Sequence, residues 1–148
     1  MSWTAPTIAE FKAFFVRDFP YAPSGDEGNL EYILDADITK AIAEGQINFN
    51  EDLFATEAQA TLAFMYLAAC LLVTNILNSS NGLSAQAKFA IQAASVDGVS
   101  QSFAIPEDFL KDSSFSIYAG NAYGVKYLSL VIPLCIGNIT ITQGYTTP

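Results

Sequence analysis

Apolar and polar positions alternate with two different periods along this chain, and the switches between them mark the elements. From Ile8, the residues Ile8, Phe11, Phe14 and Phe15 recur at helical spacing, while Glu10, Lys12 and Arg17 take the other face. Thr7 and Glu10 stand at the two ends of a capping box, and Pro6 precedes it. Pro20 requires this helix to stop by Phe19. The stretch from Pro20 to Gly28 is a turn-rich acidic loop. Leu30, Tyr32, Ile33 and Leu34 then form a short apolar anchor. Asp35 or Asp37 caps a second short helix with Ile38, Ala41 and Ile42 on one side, and Gly45 closes it as a C′ residue. Asn48 to Asp52 is a polar link, with Leu53 and Phe54 as a further anchor.

The dominant element runs from Thr56, its cap, to about Leu77. Glu57 suits the positive end of the helix dipole. From Ala60 to Leu77 the chain carries no charge, which meets the minimum length for a membrane span. Its Ala and Thr content, Asn75 and the absence of flanking Lys or Arg clusters favour a central core helix instead. Asn78 to Gly82 reads as a loop, and Ser84 to Ala94 as moderately apolar chain of either period. In Ser95 to Ala104, Val96, Val99 and Phe103 stand against Asp97, Ser100 and Ser102, which predicts a short hairpin or extended arm. Pro106 to Asp112 is an acidic turn.

A last helix is expected from Ala122 to about Ile132, capped by Asn121 and ended by Pro133. Tyr123, Tyr127 and Leu130 share one face, and Gly124 permits close backbone approach. Beyond Pro133 the chain turns β-prone, with Ile139 and Ile141 alternating against Thr140 and Thr142. The fold class that follows is mainly α. It is a small helical bundle around a long central helix, with an extended arm and a β-prone C-terminal tail. Residues 1–132 form the helical domain, including the arm at about 95–104, and residues 133–148 the tail.

Composition sharpens this outline. The 148 residues contain no histidine, and only 14% are charged while 51% are hydrophobic. The absence of histidine excludes a Ser-His-Asp triad, a Cys-His dyad and imidazole metal sites. A formal charge of −9, with six basic residues, argues against gripping a phosphate backbone. Such apolar content in a small chain points to burial against partner subunits or a membrane. Cys70 and Cys135, each in an apolar run and far apart, read as two buried free thiols, with a disulfide as the alternative. The first residues lack the basic and apolar regions of a secretory signal.

Sites of chemistry are not evident. There is no phosphate-binding glycine loop. Asp35 and Asp37 lack the glycine and distal glutamate of a calcium loop, so capping explains them better. The pairs Asp26-Glu27, Glu51-Asp52 and Glu107-Asp108 fall in polar loops, and Ser95, Ser100 and Ser102 have no base partner. The expectation is a protein that is not an enzyme and has no cofactor or metal.

Four stretches in order carry a resemblance: TIAEFKAFFVRDFP, DADITKAIAEG, LAFMYLAACLL, and ASVDGVSQSFA followed by NAYGVKYLSL. Over residues 7 to 132 the chain resembles the DUF4054 family of tailed-phage head–tail connector (adaptor, head-completion) proteins. It departs from the family pattern at Cys70, in the Pro20 to Gly28 loop, and in its longer, more apolar tail. The resemblance implies a structural virion protein of the head–tail neck, present in the host cytoplasm during assembly. It implies a dodecameric ring of copies below the portal protein, extending the DNA channel and docking a downstream neck or tail protein. DNA would pass through without specific binding, and no membrane is involved. On that reading Val99 and Phe103 anchor the arm. Tyr123, Gly124 and Tyr127 pack the last helix against the arm or a neighbouring subunit, and Ile139 and Ile141 dock the tail on the portal or an adjacent protomer. The alternatives are a small membrane-associated phage protein using residues 60–77, or a generic homo-oligomeric binding module.

Overall fold

The computed structural model describes residues 2–80 and 116–136. These form four helices and two single-turn 3₁₀ segments: α1 (Ile8–Phe14), α2 (Asp35–Asn48), a turn at Glu51–Leu53, α3 (Glu57–Ser80), a turn at Tyr118–Gly120, and α4 (Ala122–Ile136). The fold is mainly α and built around the long α3, as the pattern predicts. Among the described residues there is no strand, only a single parallel bridge between Tyr21 and Ile33. The expected arm at 95–104 and the tail from residue 137 lie outside the described residues.

Helix α3 is the hub. Between Ala63 and Leu72 all its residues are buried except the half-buried Tyr66 and Leu71. That accounts for a helix apolar on every side. It packs against α2 on one flank and α4 on another. Half of its most apolar window is buried in this way, although its length and composition would suffice to cross a membrane. Asn75, the polar residue in that run, donates from Nδ2 to Glu44 Oε2 of α2 at 2.7 Å. At its start Thr56 Oγ1 accepts from Gln59 N at 3.3 Å, as a cap should. Its end lies further on than expected, at Ser80, so Asn78 to Ser80 are helical.

The N-terminal segment covers the first half of α3. Trp3 donates from Nε1 to Thr61 Oγ1 at 3.1 Å and lies within 4.9 and 5.0 Å of the Phe49 and Phe64 ring centroids. The capping box of α1 is complete: Thr7 N and Oγ1 both donate to Glu10 Oε2, and Glu10 N donates to Thr7 Oγ1. Those bonds hold the Glu10 carboxyl below its ordinary range. Phe11 and Phe15 are buried, but Phe14 is 45% exposed. The aromatic stripe is thus only partly core.

Three other expectations are corrected. The N-cap position of α2 is Leu34, and Asp37 caps from the third helical position by accepting from Leu34 N at 3.0 Å. Gly45 does not close α2 but lies inside it, buried, where a Cβ would come 3.2 Å from the Phe64 ring. Here glycine lets α2 approach α3, so its role is packing rather than termination. In the anchor before α2, Ile33 is buried while Leu30 is 88% exposed.

Pro133 also fails to end the last helix: α4 continues through it to Ile136. The cost is one lost backbone bond, since Pro133 has no N–H to offer the carbonyl of Ser129. Continuation keeps Leu134 one turn beyond Leu130, and both pack on the core.

Candidate functional site

The residues singled out on the last helix are positioned by its first turn. Asn121 Oδ1 accepts from Gly124 N at 3.0 Å, which is the expected N-cap bond. The same side chain faces α3 with its amide nitrogen. Nδ2 donates to the Cys70 carbonyl at 3.2 Å, with Cys70 Sγ at 3.3 Å and Thr74 Oγ1 at 3.5 Å. One side chain therefore starts α4 and fixes it to the middle of α3.

Gly124 completes that contact. A Cβ there would fall on the carbonyl oxygen of Tyr118, 2.6 Å from its carbon and 2.8 Å from Cys70 Sγ. Only glycine allows the Tyr118–Gly120 turn, α3 and α4 to meet at this point. Burial pushes the Cys70 thiol up, and hydrogen bonds with Asn121 and Thr74 work against that shift.

Tyr123 and Tyr127, one turn apart on α4, reach different partners beside this junction. The Tyr123 hydroxyl donates to Asp18 Oδ1 at 3.0 Å, and its ring packs against Phe15 and Phe19 at 5.6 and 5.4 Å. Its phenol is pushed up to about 12, first by burial and then by Asp18. Tyr127 is buried, with its ring edge-on to Tyr118 at 5.5 Å. It too is pushed up to about 12, chiefly by burial.

Thus Tyr123, Gly124 and Tyr127 come together, and their described contacts are with their own chain. Val99, Phe103, Ile139 and Ile141 lie outside the described residues. Cys135 is exposed, which corrects the expectation of two buried thiols, and Cys70 is buried.

No group of three or more metal-ligating side chains occurs among the described residues. Asp35 pairs with Lys12, and Asp37 is engaged in capping. Asp26, Glu27 and Asp52 are exposed, without the burial that would tune a carboxylate for proton transfer. The surface instead carries apolar side chains. Phe14, Val16, Leu30, Ile47 and Leu77 are all more than 40% exposed. A small apolar groove of ≈ 100 Å³ lies between Phe54, Leu62, Leu130 and Leu134. The helical wheel held the signal for Phe14. Taking Phe11 as the centre of the buried face, Ile8 and Phe15 fall on one side, and Phe14 lies about 60° to the other, towards Arg17.

Comparison with protein-family models, with curated proteins and with solved structures finds no match to this chain.

Proposed function

We propose that this chain is a structural virion protein, a head–tail connector that forms a ring below the portal. The ring would extend the DNA channel and dock the next neck or tail component. The reading rests on the four stretches that resemble the DUF4054 connectors, in their order along the chain. The observation that supports it best is in NAYGVKYLSL. Its Asn121 and Gly124 make the α3–α4 junction, and at Gly124 there is no room for a side chain. A short pattern whose residues each meet a packing requirement is a better sign of shared architecture than an accidental run of letters.

The surface chemistry agrees with a ring subunit. Such a subunit needs two lateral faces, and exposed apolar side chains suit them. A net charge of −9 would repel a duplex in a conduit, favouring passage over capture. Ile139 and Ile141, in the tail, are the residues proposed to dock on the portal or an adjacent protomer.

The test is mass measurement of the chain alone and mixed with a portal protein. A ring-sized assembly, alone or on the portal, is expected. A strict monomer that ignores the portal would sink the reading. Because α4 extends to Ile136, the informative truncation removes residues 137–148 and not Pro133 onward. It should keep the helical circular-dichroism signal and lose portal docking. Loss of the helical signal would make the tail part of the core.

A further inference from the structure

Two patches on the described surface complement each other in shape and charge. The first lies where α1 ends. Phe14 is 45% exposed and Val16 69% exposed, and exposed Arg17 follows. Phe14 stands edge-on to the Tyr66 ring at 5.9 Å, and Lys126 Nζ lies 5.1 Å from that ring's centroid. Of the cations among the described residues, Lys12 pairs with Asp35 and Lys40 with Glu44. Arg17 and Lys126 are in no ion pair among those residues. The patch thus carries two positive charges outside any ion pair, Lys126 held over the Tyr66 ring, in a chain that has few.

The second patch is a hollow of ≈ 400 Å³ whose apolar lining is Leu30, Tyr32, Ile33 and Ile76, with Glu31, Asp37 and Ser79 as its polar lining. Leu30 is 88% exposed. Glu31, in its lining, is exposed and in no ion pair among the described residues. The volume is within the range of pockets that enclose small ligands, so an aromatic ring and a branched aliphatic side chain fit it.

We infer that these patches meet between copies: Phe14 and Val16 of one chain enter the Leu30–Ile76 hollow of the next, with Arg17 and Lys126 facing Glu31. The occupant is a second copy of this chain because knob, hollow and both charge signs are present on one molecule. The contact joins different patches, so it is heterologous, and its repetition makes a ring or an open chain. This deepens the proposed function, on whose ring of copies it rests, by naming the lateral faces.

The experiment is sedimentation or native mass of the full chain over a range of concentration and salt. Wild type should self-associate, less so at high salt. Arg17→Glu with Lys126→Glu should weaken association at least about tenfold, as should Glu31→Lys. Each variant then sets like charges against each other across the contact, and an equimolar mixture of the two should restore association. Leu30→Ser, at a position that contributes nothing to the core, should weaken association without touching the fold.

The inference is overturned if wild type stays monomeric at its highest soluble concentration. It is equally overturned if folded variants associate as wild type does, or if the mixture restores nothing. Association unchanged in every variant would leave a ring built on other faces. Restored association in the mixture, from a chain that ignores the portal, would support these faces and sink the connector reading.

Discussion

At Gly124 a single missing methyl decides whether three segments can meet. A Cβ would overlap the Tyr118 carbonyl, which is backbone and cannot swing away. Gly124→Ala should therefore destabilise by about 3 kcal/mol, the upper end for overpacking, despite the better helix propensity of Ala. Urea unfolding should show this as a lower midpoint with an unchanged slope. Gly45→Ala provides the contrast. Its Cβ would be tight only against the Phe64 ring, at 3.2 Å, with Leu71 at an ordinary 3.8 Å, and a few tenths of an ångström relieve it. The propensity gain of about 1 kcal/mol offsets that strain, so the midpoint should hardly move. The thiols differ in the same local way. Cys135 is exposed while Cys70 is buried beneath Asn121. An aromatic disulfide reagent should titrate one thiol per folded chain and two after unfolding. Two fast thiols in the folded chain would show that the α3–α4 junction opens readily.

At the scale of elements, local signals read well and tertiary ones read poorly. The Thr7–Glu10 box, the Thr56 cap and the Asn121 cap are all made by residues within three positions of each other, so spacing alone locates them. The apolar run of α3 was legible for a similar reason, since a helix without a polar face must be surrounded. Gly45 and Pro133 were misread because their meaning depends on distant partners. Gly45 looks like a stop until the Phe64 ring occupies its place. Pro133 looks like a stop until Leu134 is seen continuing the apolar face begun by Leu130. Likewise, the stretch around Tyr123 and Gly124 was recognisable as a site of close approach, but its partners, Asp18 and Tyr118, are set by the fold. The helix through Pro133 leads to a prediction. This side chain is exposed and lacks a backbone donor, so Pro133→Ala restores the bond to Ser129 without opening a cavity. Stability should rise by about 1–2 kcal/mol, less than the full interior penalty because the helix ends one turn later. An unchanged or lower urea midpoint would mean that the proline is needed for how the chain leaves α4.

For the molecule as a whole, the tyrosines connect its first and last helices and give it an alkaline limit. Tyr21 donates to the Phe15 carbonyl at 3.2 Å, Tyr123 reaches Asp18 from α4, and Tyr127 lies in the core beside Val131 and Leu128. All three phenols are pushed up to about 12 from an ordinary 10.0, each chiefly by burial. The sign follows from linkage. A phenol whose pKa is raised on folding is neutral in the native state, so the unfolded chain loses its proton first. The stabilisation is full below about pH 10, where both states hold the proton, and disappears as pH rises through about 12. Acid should leave this contribution untouched. Phenolate absorbance of the folded chain should therefore lag behind that of the unfolded chain between these limits, and urea midpoints should fall across the same interval. Tyr123→Phe keeps the ring against Phe15 and Phe19 but removes both the proton and the bond to Asp18. It should make that fall shallower while lowering stability modestly at neutral pH. If the variant loses stability at alkaline pH as steeply as wild type does, the link between α1 and α4 through Tyr123 is not what limits the fold there.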